Sequence, residues 1–241
     1  MRVKATIAYD GSAFYGFQRQ TSTPQTVTGH IEAVLKQLHI DTQVVGSGRT
    51  DRGVHATGQV IHFDLPEYWQ DLEKLQSIFN RRLEAVRFRS LKRVPDSFHA
   101  RFDAKKRLYR YLFKTQLPTV FERKYLSYYP SGFDVPKLHE ALSLFEGEHD
   151  FRYFHKTGSK PHSTVRTLFA ARHYTKHHLH VMTFEANGFL RSQVRMMVES
   201  SMQYALGMLS KETLMQQLSG ECKSITRLAP AAGLYLAKIY Y

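Results

Sequence analysis

The chain has 241 residues, 42% of them hydrophobic, and its 34 lysines and arginines against 21 acidic residues leave a net charge of +13 with the histidines neutral. That apolar content at this length excludes an intrinsically disordered chain and supports one large or two small packed domains, and the basic excess points to a polyanion such as nucleic acid. Cys222 is the single cysteine, so an intrachain disulfide is excluded and a reducing compartment suits the chain. The amino terminus lacks the apolar core of a signal peptide and no later stretch approaches a membrane span, so a cytoplasmic protein is expected.

Val3, Ala5, Ile7 and Tyr9 alternate with polar or small residues and stop at Asp10-Gly11, predicting a strand that ends in a turn. After Pro24, Val27, Ile31, Val34, Leu35 and Leu38 share one helical face. Strands near Thr42 to Gly46 and Gln59 to Asp64 follow, then a helix carrying Leu72, Leu75, Ile78, Phe79 and Leu83, and a strand near Val86 to Val94. The first hundred residues therefore read β-α-β-β-α-β.

The second half repeats the order. Alternating Tyr109, Tyr111 and Phe113 predict a strand, and Asp134 caps a helix with Pro136 in its first turn and Leu138, Ala141, Leu142 and Phe145 on one face. Strands near Val165 to Tyr174 and His178 to Ala186 precede a long helix from about Phe189 to Leu209, a short one near Lys211 to Leu218 and a strand at Gly233 to Tyr240. The fold class expected is α+β: two ferredoxin-like, split β-α-β halves, residues 1–100 and 101–241, sharing an extended, mainly antiparallel sheet with helices on one face. Arg101 to Lys106 is the expected hinge.

The segment Gly46-Ser47-Gly48-Arg49-Thr50-Asp51-Arg52-Gly53-Val54-His55-Ala56 sets a carboxylate between two arginines in a glycine-bounded loop. Opposite charge beside Asp51 favours its ionised form and burial opposes it, which suits a nucleophile or base; the plain alternative is an aspartate capping a turn. From Phe98 to Tyr111, basic and aromatic residues interleave, as in surfaces that stack on bases and hold phosphates, although Tyr109, Tyr111 and Phe113 also fit a core stripe. Arg191 and Arg195 lie one helical turn apart and share a face with Val198, so Arg195 is expected to be partly buried and to need an anionic partner, unless both coat a solvated side. The histidines, His149, His155, His162, His177, His178 and His180 among them, show no ligand spacing that calls for a metal, and Cys222 has no activating context.

Taken in order, the motifs Tyr9-Asp10-Gly11 through Gly16-Phe17-Gln18-Arg19-Gln20, Gly48-Arg49-Thr50-Asp51 with Gly53-Val54-His55-Ala56, Phe98-His99-Ala100-Arg101 leading to Arg107-Leu108-Tyr109-Arg110-Tyr111, Gly147-Glu148-His149-Asp150-Phe151, Asn187-Gly188-Phe189-Leu190 with Val194-Arg195, and Ala229-Pro230-Ala231-Ala232-Gly233-Leu234-Tyr235-Leu236 resemble the TruA-type tRNA pseudouridine synthases over nearly the whole chain. The resemblance implies isomerisation of uridine to pseudouridine at positions 38, 39 and 40 of the tRNA anticodon arm, by a homodimer without cofactor or metal. It implies Asp51 as the catalytic aspartate, Tyr109 as the active-site tyrosine, Arg195 as the partner of the aspartate, and Arg49 as an arginine that helps displace the target base. Arg19, Gln20, Arg52, His55, Arg107 and Tyr111, in the same motifs, are expected to touch the RNA. Phe17, Gln193 and Glu199 depart from the family pattern, where Trp, Met and Gly are common. A non-catalytic RNA-binding module on the same sheet, and a synthase acting on another RNA site, are the alternatives.

Overall fold

Buried and half-buried residues alternate along Arg2–Tyr9, which forms β1 with Val3, Ala5 and Ile7 fully buried on one face. The computed structural model describes residues 1–158 and 161–241 and divides into two units, Met1–Lys105 with Leu236–Tyr241, and Lys106–Tyr235. In the first, β1 is followed by α1 (Val27–Gln37), β2 (Val45–Gly46), β3 (His55–Asp64), α2 (Leu72–Arg82) and β4 (Val86–Arg93). The strands run antiparallel in the order β4-β1-β3, with β2 paired to β3. This is the strand order of the split β-α-β unit. The carboxy-terminal strand β10 (Leu234–Tyr240) lies next to β3, and Gly58 permits that approach, since a Cβ there would stand 2.2 Å from the Ala237 carbonyl oxygen.

The helices start where short polar side chains cap them. Thr26, Asp71 and Asp134 accept from the backbone N–H three residues on, in α1, α2 and α3 (Val135–Leu144). On α2, Phe79 stacks on Phe88 of β4 at 4.0 Å and meets Phe63 of β3 edge-on at 6.1 Å, so the helix covers the sheet face that carries Val3 and Ile7.

The second unit holds β5 (Lys106–Lys114), β6 (Ser127–Tyr128), α3, β7 (Gly147–Asp150), β8 (Val165–Lys176), β9 (Leu179–Ala186), α4 (Gln193–Ala205) and α5 (Lys211–Ser219). Its main strands are antiparallel in the order β5-β9-β8-β7, with the short β6 parallel to β5. Helix α4 is buried on most sides, and its polar residues are satisfied inside: Ser200 and Ser201 donate to the carbonyls of Met196 and Met197, one turn back.

Three elements differ from their expected spans. β2 has two residues rather than five, because the Glu32 carboxylate on α1 accepts the Val44 N–H and removes it from the ladder. β3 begins at His55, not Gln59, and is buried on both faces over most of its length, so it offers no alternation to read. α4 starts at Gln193 rather than near Phe189: Ser192 sits in the left-handed region at φ 60°, and the Gln193 side chain accepts from the Leu190 N–H at 2.8 Å, ending the helix there.

Candidate active site

Asp51 lies on the loop between β2 and β3, and the first unit builds that loop from below. The Phe17 N–H donates to the Thr50 carbonyl at 3.1 Å, the Tyr9 hydroxyl and Thr50 Oγ1 are 2.8 Å apart in a buried contact, and the buried Gln59 amide donates to the Gly48 carbonyl at 2.7 Å. The Val54 N–H closes a turn on the Asp51 carbonyl at 3.1 Å, and Gly53 holds φ +77°, a conformation glycine adopts without strain. The loop is thus pinned through Gly48, Thr50 and Val54 while Asp51 stays half-exposed and Arg49 and Arg52 are exposed.

The amino-terminal motif is the platform for this loop. Gly11 is needed because a Cβ there would fall 2.0 Å from the Val54 carbonyl oxygen, and Gly46 because one would fall 2.3 Å from the Phe17 ring. Phe17 fills that space with 1% exposure. The Arg52 guanidinium lies 4.3 Å from the centre of the exposed Tyr15 ring, and Gln20 donates to the Tyr15 carbonyl at 3.0 Å, so Arg52, Tyr15 and Gln20 form one patch. Arg19 is exposed and pairs with Glu32 at 3.1 Å.

In the second unit, Tyr109 on β5 is 8% exposed and meets the Phe189 ring edge-on at 5.2 Å. Half-buried Arg195 on α4 donates from Nε to the Ala229 carbonyl at 2.7 Å, and the Ala229 N–H returns a bond to the Arg195 carbonyl at 3.1 Å. These two bonds fix the segment that leads into Pro230 and Gly233. One turn further along α4, the buried Glu199 accepts from the Tyr129 hydroxyl at 2.9 Å and the Gln203 amide at 3.1 Å and pairs with Arg227 at 3.2 Å. The buried glutamate is thereby accommodated with its charge compensated. Arg107 donates to the Asn187 carbonyl at 2.7 Å.

Two residues expected to touch RNA, His55 and Tyr111, are buried. His55 is 2% exposed; its Nδ1 accepts the Gly11 N–H at 3.0 Å and stands 3.3 Å from Asp10, so it ties the amino-terminal motif to β3. Tyr111 is fully buried, donates to Ser127 Oγ at 2.8 Å, and burial holds its hydroxyl above the usual phenol range. Neither side chain offers a surface to a polymer. The residues that sequence reasoning passed over are Thr50, Tyr15 and Gln59, which brace the loop and its patch; a glutamine in the middle of an apolar strand was the readable sign of the last. Among the described residues, no group of three or more His, Cys, Asp or Glu side chains is placed to hold a metal ion, and no helix is long and apolar enough to cross a membrane.

The Phe98-His99-Ala100-Arg101 motif is anchored by His62, whose Nδ1 accepts the Ala100 N–H at 3.1 Å. Burial first, then the neighbouring His99 and Arg2, lower the His62 pKa to about 4. An unfolded histidine titrates near ~6.5, so between these values the unfolded chain binds more protons. The His62 contribution to stability is therefore complete above pH ~6.5 and is lost as pH falls toward 4. His62→Asn should make unfolding free energy fall less steeply across that window than in the wild type; parallel pH profiles of the two proteins would refute this role.

The whole chain has relatives. A family model described as tRNA pseudouridine synthase matches residues 5–103 and 141–241. The tRNA pseudouridine synthase A of Helicobacter hepaticus is 40% identical over 244 residues, with 99% of this chain and 98% of that protein covered. The proteins of that name from Campylobacter jejuni and Listeria monocytogenes are 35% identical over 242 residues and 37% over 251, each match spanning at least 99% of both chains. With motif order, strand order and full-length similarity in agreement, the chain belongs to the tRNA pseudouridine synthase family of isomerases.

Proposed function

We propose that this protein converts uridine to pseudouridine at positions 38, 39 and 40 of the tRNA anticodon arm, as a cytoplasmic homodimer, with Asp51 as the nucleophile. The observation that carries the assignment is the Asp51 loop, half-open at the aspartate and braced at Gly48, Thr50 and Val54. A fixed base and an accessible carboxylate are what a nucleophile needs, because geometry must be held while the substrate enters.

The reaction exchanges an N1–C1′ bond for a C5–C1′ bond within one nucleotide and replaces the C5 hydrogen by the sugar, so no oxidant or group donor enters the balance. The target base leaves its stack, with Arg49 taking its place. Asp51 attacks either C1′ of the ribose or C6 of the base, and both routes end with release of the C5 proton. Tyr109 stacks on the flipped uracil and its hydroxyl relays that proton, and Arg195 supplies the counter-charge to the aspartate. Exposed Arg19, Arg49 and Arg52 and the Gln20 patch hold the RNA.

Release of tritium from tRNA labelled at uridine C5 tests the assignment directly, because that hydrogen must leave when C5 becomes the glycosidic carbon. Tyr109→Phe retains the ring and its contact with Phe189 but deletes the hydroxyl, and should slow release by at least about 100-fold with tRNA binding retained. Wild-type rates in this variant would remove the relay and leave Tyr109 a stacking role alone.

A further inference from the structure

The sheet face of the first unit that α2 leaves uncovered carries Lys4, Thr6 and Ala8 of β1, paired with Lys92, Ser90 and Arg87 of β4. The β1–β4 register slips between Thr6 and Ile7: Thr6 pairs with Ser90 and Ile7 with Phe88, so Arg89 is the extra residue of a β-bulge. The bulge breaks the alternation, so that Arg89 and Ser90 lie side by side on the open face between Phe88 and Leu91, which are buried. Here Arg89 joins Thr6, Val60, Ser90 and Lys238 in lining a groove of about 420 Å³.

A second slip, between Ile7 and Tyr9, adds a residue to β3 near Thr57 and Gly58. The Thr57 carbonyl it presents accepts Arg89 Nη1 at 2.7 Å, which fixes one edge of the guanidinium and leaves the rest of the fork to the groove. The floor is bare backbone at Gly58, where β10 approaches too closely for a side chain. On β10, the exposed Lys238 ammonium rests 4.5 Å from the centre of the Tyr240 ring. Nearby, the Lys4 ammonium lies over the Tyr241 ring at 4.1 Å, and burial followed by repulsion from Lys92 lowers its pKa.

We infer that this groove is a binding site for a backbone phosphate of the RNA substrate, supplied by β1, β3, β4 and β10 rather than by the Asp51 loop. A forked guanidinium with one edge held, an ammonium and two hydroxyls are donors matched to an anionic phosphodiester, which accepts hydrogen bonds and offers none. The lining has no aromatic face aimed at a base, so the contact positions RNA without reading sequence. That the polyanion is tRNA rests on the synthase assignment; that the site takes phosphate rests on the groove.

The test is tRNA binding by the full chain from about 50 to 200 mM salt, comparing Arg89→Gln with Lys238→Gln in one protein against a matched control, Lys74→Gln with Arg81→Gln, on exposed positions of α2. The groove variant should bind about tenfold more weakly at low salt and flatten the slope of log affinity against log salt by about one unit, with the control close to wild type. Lys238→Glu alone, at an exposed position, should weaken binding more than Lys238→Gln. Equal affinities and slopes for groove and control variants would overturn the inference, whichever protein folds best. Tritium release by the wild type decides the other question: a groove-dependent affinity without release keeps the site and ends the synthase assignment, and release with groove-independent affinity does the reverse.

Discussion

Asp51→Asn is expected to abolish tritium release, by at least about 10,000-fold, as removal of a nucleophile does in other covalent mechanisms. The substitution keeps size and shape, removes the charge and turns one acceptor oxygen into a donor NH2. The loop is braced by the Val54 N–H on the Asp51 carbonyl and by the buried contacts of Thr50 and Gln59, which the substitution leaves in place. The variant should therefore fold like the wild type and hold tRNA within about tenfold of wild-type affinity, ~1.4 kcal/mol. A rate near wild type would dismiss Asp51 as the nucleophile, and a loss of folding would show that its carboxylate braces the loop instead.

Gly11→Ala should be the most damaging conservative change outside the hydrophobic core. The added methyl would meet the Val54 carbonyl oxygen at 2.0 Å and its carbon at 2.4 Å, and both are backbone atoms of the turn that carries Asp51. Relief requires Gly11 and Val54 to separate, which stretches the Gly11 N–H bond to His55 and the packing of the amino-terminal motif under the loop. Overpacking of this kind costs about 1–3 kcal/mol, and the displaced turn should lower turnover as well. Differential scanning calorimetry and single-turnover release read the two effects separately. Wild-type melting with wild-type turnover would mean that the platform yields freely and does not position the loop.

The element types were legible because periodicity and caps agree: β1 alternates, and Asp71 and Asp134 stand where α2 and α3 begin. What escaped was set by partners distant in sequence. Val44 leaves its ladder for a carboxylate on α1, and Arg89 and Ser90 share the open face because β1 and β4 slip by one residue, which no period-two pattern records. Within the candidate site, residue types were readable, and burial only in part: the core stripe of Tyr109 and Tyr111 and the partial burial of Arg195 were, the burial of His55 was not. His55 and Tyr111 sit in motifs rich in charge and aromatics, yet each is enclosed because a neighbour uses its polar atom, Gly11 for the imidazole and Ser127 for the phenol. Arg195 was expected to be partly buried; it is half-buried, and its Nε donates to the Ala229 carbonyl.

The placement of Leu236–Tyr241 with Met1–Lys105 has a consequence in time. During synthesis β3 leaves the ribosome long before β10, which lies next to it, and the Tyr241 hydroxyl that donates to Ala100 at 2.8 Å follows β10. Until then the first unit waits with an open strand edge while some 130 residues of the second are made. The nascent chain thus holds the Asp51 loop in an unfinished sheet until β10, made after Lys106–Tyr235, joins the unit that carries it.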